Sequence, residues 1–183
     1  MKIEPLVIPE AFVITLDPIY DTRGSFSRIF CREELREVIS GRTITQINHS
    51  CSKEIGLIRG LHFQYPPQTE MKIITCLKGA VFDVMVDIRS NSPTFLKWYG
   101  VELSEEYHTM VCIPEGCAHG FQVLQENSEL LYLHTTSYSP ELEGGLSPLD
   151  PRIGIEWPLP VGQMSERDRN HPYVTDTFKG VEL

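Results

Sequence analysis

Residues 72–88 read K-I-I-T-C-L-K-G-A-V-F-D-V-M-V-D-I, two apolar, β-branched runs divided by Lys78-Gly79. Runs of this length and composition bounded by a glycine are strand signals, because branched side chains pack well on a pleated surface. Lys78-Gly79 reads as a hairpin turn between strands Lys72 to Leu77 and Val81 to Ile88, since glycine tolerates the positive φ that such turns require. The same pattern recurs outward in both directions. Phe12 to Leu16, Ile44 to Asn48 and Leu57 to Phe63 precede it, and Trp98 to Leu103, Thr109 to Ile113, His119 to Leu124 and Leu130 to Ser137 follow. Only Cys31 to Ser40 carries a helical period, with Leu35, Val38 and Ile39 on one face and Gly41 as a stop. Many short strands with tight turns predict an all-β chain, a mainly antiparallel β-sandwich or jelly roll.

After Pro140 the strand pattern fades. The segment is expected to run over the outside of the sheets, anchored by Ile153, Ile155 and Trp157, with Ser165-Glu166-Arg167-Asp168 as a short capping box. No repeat or linker interrupts the 183 residues, so one domain, 1–183, is expected. The formal net charge of −9 argues against a nucleic-acid or acidic-membrane surface, which needs surplus Lys and Arg. No apolar run is long enough to span a bilayer, and MKIEPLVIPEAF has no leader pattern, so a cytoplasmic location is expected. Five cysteines without a C-x-x-C pair read as buried thiols.

Side-chain alternation then sorts the chemistry. Gly60, His62 and Gln64 share one face of their strand, with Arg59, Leu61 and Phe63 opposite. Lys72, Ile74 and Cys76 share another face, and Tyr132, His134, Thr136 and Tyr138 a third. Alternation does not say which faces look inward; if those of His62, Lys72 and Tyr132 do, a base, a cation and a phenol converge in one cavity suited to proton transfer. Singly, each has a plainer explanation. His62 reads as a hydrogen-bonded structural residue, Lys72 as a solvated face and Tyr132 as packing. Asp168 serves in capping with Ser165, Arg23 sits in a surface turn, and His119 finishes the Pro114-Glu115-Gly116 turn.

Their order and context nevertheless resemble the dTDP-4-dehydrorhamnose 3,5-epimerase family. The matching stretches are D-T-R-G-S-F (21–26), Q-I-N-H-S (46–50), I-R-G-L-H-F-Q (58–64), Lys72, G-A-V-F-D-V (79–84) and V-D-I-R (86–89). They continue through S-P-T-F (92–95), I-P-E-G (113–116), A-H-G-F (118–121), Y-S-P (138–140), I-G-I-E-W-P (153–158) and Ser165-x-x-Asp168. The resemblance implies a cupin-like jelly roll, a homodimer, and cofactor-free epimerisation at C3 and C5 of a dTDP-linked 4-keto-6-deoxyhexose. It further implies His62 as base, Asp168 as its carboxylate partner, Lys72 as stabiliser of the enolate oxygen and Tyr132 as proton donor on the far face. Substrate contacts are implied for Arg23, Phe26, Arg28, Gln46, Asn48, Arg59, Gln64, His119, Tyr138, Glu143 and Arg167, with the Arg23 segment reaching a neighbouring subunit's site.

No metal is expected, because the cupin His-x-His pair reads here His62-Phe63-Gln64 and lacks its second imidazole. Three departures bear on specificity. Arg28 stands where the family's best-known members carry Glu, Glu70 where Gln is common, and Ser147-Pro148-Leu149-Asp150 replaces a Trp-containing turn. Arg28 and Glu70 are therefore expected to compensate one another. The competing readings are a single-centre 3- or 5-epimerase, a 3,4-ketoisomerase, and a catalytically silent sugar-nucleotide-binding module.

Overall fold

The two strands flanking Lys78-Gly79 form as expected, but they do not pair with each other. A computed structural model describes all residues from Met1 to Leu183. In chain order its elements begin with β1 (Lys2–Pro5), β2 (Phe12–Thr15), β3 (Ile19–Asp21), β4 (Gly24–Phe26), α1 (Arg36–Ile39) and β5 (Gln46–Ser52). Then come β6 (Ile58–Gln64), β7 (Lys72–Lys78), β8 (Ala80–Asp87), β9 (Trp98–Ser104) and β10 (Thr109–Ile113). The last are β11 (Cys117–Val123), β12 (Ser128–His134), β13 (Glu143–Gly145) and α2 (Glu166–Arg169). One sheet runs β1-β2-β10-β7-β12-β5, the other β13-β6-β11-β8-β9, and β3-β4 stands apart as a hairpin. Every strand pair is antiparallel.

Lys78-Gly79 is thus a corner where the chain leaves one sheet for the other, not a hairpin. Gly79 adopts φ 72°, and a Cβ there would fall 2.5 Å from the Ser128 hydroxyl. The turn chemistry was read correctly and the pairing was not, because a positive φ reports a sharp change of direction and says nothing about which strand lies alongside. Both strands read as apolar runs because both of their faces are covered.

Three apolar clusters do the covering. Between the sheets lie Ile74, Cys76, Val111, Ile113 and Leu130 from one side and Val81, Met85, Leu103, Phe121 and Val123 from the other. The outer face of the six-stranded sheet packs Ile14, Ile73, Met110 and Leu133 against Leu35, Val38 and Ile39. That is the apolar face expected of Cys31 to Ser40, although only one turn, Arg36–Ile39, is helical. A turn this short has few internal hydrogen bonds, so it exists where burial supports it. The outer face of the five-stranded sheet packs Leu61, Phe63, Val84 and Val86 against the C-terminal segment through Ile153, Ile155, Trp157 and Val174. The expected anchors are therefore the observed ones. No helix is long and apolar enough to cross a membrane.

Candidate active site

The site begins at an irregularity in β6. On β11, His119 pairs with His62 and Phe121 with Arg59, so three steps on β6 face two on its partner. The extra residue falls at Gly60, whose φ is 121° and where a Cβ would lie 2.5 Å from the Gly120 Cα. A bulge of this kind re-aims side chains. Arg59, expected on the face opposite His62, is thereby brought to the same cavity.

One turn of helix supplies the partner of His62. The Ser165 hydroxyl accepts from the Asp168 N–H and caps α2. The Asp168 carboxylate does not complete the capping box but accepts from His62 Nε2 at 2.7 Å and from the Gly60 N–H at 3.3 Å. Burial alone would raise the Asp168 pKa; the bonded, positively polarised His62, the Gly60 N–H and the Ser165 contact outweigh it and hold the carboxyl below its usual range. An ionised carboxylate only accepts, so Nε2 carries the hydrogen and the lone pair of neutral His62 is on Nδ1. It follows that Arg167 Nη2, 3.2 Å from Nε2, is a neighbouring cation rather than a hydrogen-bond donor to the ring.

The inward faces of β7 and β12 build the opposite wall. His62, Lys72 and Tyr132 line one cavity of about 630 Å³ with Arg59, His119 and His134. An adjoining cleft of about 420 Å³ shares Arg59, His62 and Arg167 with it and contains Asp168. Lys72 Nζ lies 2.9 Å from Glu70 and donates to the His62 carbonyl at 3.3 Å. Glu70 also pairs with His134 Nδ1 at 2.7 Å. Burial opposes its charge, but His134 and Lys72 win and lower the Glu70 pKa to about 2. Tyr132, buried and sharing a 3.1 Å hydrogen bond with the Ser50 hydroxyl, has its pKa raised chiefly by that burial, so the phenol keeps its proton at neutral pH. Behind it His119 pairs with buried Asp83 at 2.8 Å.

Gln46, Asn48, Tyr138, Glu143 and Arg167 complete the cavity. At its rim Glu143 accepts from the Tyr138 hydroxyl at 2.9 Å and from Arg167 at 2.7 Å. Four expected substrate contacts do not line this chain's own cavity. Arg23 and Phe26 ride on the exposed β3-β4 hairpin, where Arg23 pairs with Asp21. Gln64 is buried, and its amide is taken up by the Gln68 carbonyl and the Ser139 N–H. Arg28 pairs with Glu34 at 2.7 Å while Glu70 holds Lys72 and His134, so the two do not compensate one another within this chain. Sequence reading did not assign roles to Ser50, Asp83 or His134, and it gave Glu70 Arg28 as its partner instead of Lys72 and His134. A carboxylate inside the apolar run V-F-D-V-M was the available sign for Asp83, since a buried charge needs a partner.

The lowered pKa of Glu70 has a measurable consequence. A carboxyl depressed from 4.5 to about 2 contributes stability in full above pH 4.5, and that contribution, on the order of 3 kcal/mol, is lost as the pH falls toward 2. Urea melts of wild type and Glu70→Gln should differ most near pH 6, with the gap closing between pH 4.5 and pH 2. A gap that stays constant across that range would contradict the assignment.

A family model described as dTDP-4-dehydrorhamnose 3,5-epimerase matches residues 5–176. A dTDP-4-dehydrorhamnose 3,5-epimerase of Salmonella typhimurium is 44% identical over 168 residues, covering 90% of this chain and 91% of that protein. A dTDP-4-dehydrorhamnose 3-epimerase of Streptomyces niveus is 38% identical, covering 93% and 82%. Among solved structures, the dTDP-6-deoxy-D-glucose-3,5-epimerase of Legionella pneumophila, in complex with dTDP-4-keto-L-rhamnose, superposes with a TM-score of 0.92 at 37% identity, covering 100% of this chain and 98% of that one. With the jelly-roll sheets, the His62–Asp168 pair and these similarities in hand, the chain belongs to the dTDP-4-dehydrorhamnose 3,5-epimerase family.

Proposed function

We propose that this cavity inverts C3 and C5 of dTDP-4-dehydro-6-deoxy-D-glucose to give dTDP-4-dehydro-L-rhamnose, without a cofactor. The observation that carries the assignment of roles is that His62 and Tyr132 stand on opposite sheets of one cavity. The C4 ketone acidifies the hydrogens on C3 and C5. Nδ1 of His62 takes one of them, and the imidazolium that forms is stabilised by Asp168 at 2.7 Å. The electron pair moves onto the C4 oxygen, where the Lys72 ammonium meets a charge that grows toward the transition state. Tyr132 then protonates the same carbon from the other face, and the centre is inverted. Arg59, His119 and Arg167 supply the local positive charge that a pyrophosphate needs on an acidic protein, with Gln46, Asn48, Tyr138 and Glu143 toward the nucleoside.

The experiment is turnover of the 4-keto sugar nucleotide in D₂O, followed by NMR. Deuterium at both C3 and C5 of an inverted product is expected. Label at C3 alone would favour the single-centre reading suggested by the Streptomyces niveus relative, and no label would leave only a binding module.

We further read residues 1–183 as one domain acting as a homodimer. The hairpin β3-β4 exposes Ile19, Tyr20 and Phe26 beside Arg23, an apolar and cationic tip that a second copy's cavity would cover. If so, mixing Arg23→Ala with His62→Ala subunits should restore activity, because one of the two sites in each mixed dimer is then intact; mixtures no more active than their parents would count against it. The five free thiols favour a reducing compartment, which supports a cytoplasmic location.

A further inference from the structure

His171 has no part in that chemistry, yet it abuts the base. Its Nε2 lies 3.7 Å from Asp168 Oδ1, and its ring meets the His62 ring edge-on at 5.5 Å between centroids. That Nε2 is buried without a hydrogen-bond partner. A buried polar atom left unpaired is costly, and such an atom marks a place where a partner is missing. The ring fits because position 145 is glycine: a Cβ there would fall 2.2 Å from the His171 ring.

We propose that His62, Asp168 and His171 form a site for a first-row divalent cation, with Zn²⁺ the best fit, and that its occupation switches the base off. One ligand atom from each residue lies within 4.8 Å of the others. Two imidazoles and a carboxylate are a donor set that Zn²⁺ takes readily, leaving a fourth position for water. Tetrahedral bonds of about 2.0–2.1 Å separate ligand atoms by about 3.4 Å, so His62 must draw back from Asp168 by less than about 1 Å while His171 moves slightly inward. Arg167, whose Nε is 3.7 Å from Asp168 Oδ1, must leave the dication's side. Its side chain is half exposed and already paired with Glu143, which gives it a place to go.

The inhibition follows from the tautomer. The free base carries its hydrogen on Nε2 and its lone pair on Nδ1. A metal bound through Nε2 displaces that hydrogen, which moves through solvent to Nδ1, and the neutral ring then has no lone pair for the sugar. Of the groups assigned to the nucleotide only Arg167 shifts, and it stays paired with Glu143 at the rim while Arg59, His119, Gln46 and Asn48 keep their places. The cation therefore lowers turnover without displacing dTDP.

The site can be read apart from catalysis by titrating the metal-free protein with Co²⁺. Wild type should bind one ion per chain with the intense visible bands of tetrahedral coordination. Loss of even an outer partner costs a metal site about 10- to 100-fold in affinity, so His171→Gln and His171→Ala should each cost at least about 100-fold. In EDTA both variants should turn over as wild type does, and their Zn²⁺ inhibition midpoints should rise in parallel. Affinity for dTDP should fall by no more than about tenfold on adding Zn²⁺, the worth of one shifted Arg167 contact. Equal metal affinity in wild type and both variants, no Co²⁺ binding by wild type, or displacement of dTDP by Zn²⁺ would each overturn the proposal. The Co²⁺ titration needs no turnover, so it stands or falls independently of the epimerase reading.

Discussion

His62→Ala is expected to lower kcat by about 10²- to 10⁴-fold, the usual contribution of a positioned general base, with dTDP affinity unchanged. The asymmetry follows from the site's layout. The imidazole is held from behind by Asp168, itself fixed by the Gly60 N–H and by its place in a capped turn. The cations assigned to the pyrophosphate belong to other residues. Steady-state kinetics with calorimetry of dTDP binding separates the two effects. A variant that kept its turnover, or that lost nucleotide affinity in proportion, would remove His62 from the role of base.

Tyr132→Phe is expected to lose inversion to a similar extent, about 10²- to 10⁴-fold, while keeping exchange. His62 remains in this variant, so it still removes the substrate hydrogen and still returns one from solvent, but to the face it came from. In D₂O the starting sugar should therefore gain deuterium while its configuration stays the same. The phenol is suited to donation because burial keeps it protonated until an enolate forms beneath it. Removing the hydroxyl also frees Ser50, a loss worth only about 1 kcal/mol and visible as a small change in melting rather than in exchange. Inversion at the wild-type rate, or the complete absence of exchange, would place the proton donor elsewhere.

How much of this was legible in the sequence differs by element. The longer strands announced themselves through apolar runs, because most are buried on at least one face. Strands β1, β3, β4 and β13 did not: they are three or four residues long and largely exposed or half-exposed, so they carry no alternation to read. Alternation grouped Tyr132 with His134 and Lys72 with Ile74, because β7 and β12 run without a break through that stretch, but which of those faces looks into the cavity came only from the fold. It failed for Arg59, where one inserted residue at Gly60 moves the side chain across the sheet. Gln64 shows a different limit. Its face was read correctly, yet its amide serves the backbone of neighbouring loops instead of the cavity. Arg28 and Glu70 were paired on charge alone, whereas each has a nearer partner that sequence distance conceals. His171 had no sequence signal, because its position depends on how the tail packs over β13.

A structure of the protein with a dTDP-linked 4-keto sugar bound tests the central claim most directly. The hexose ring should lie between Nδ1 of His62 and the Tyr132 hydroxyl, one on each face, with the C4 oxygen directed at the Lys72 ammonium. A ring with both groups on the same face, or bound away from the space between the two sheets, would contradict it.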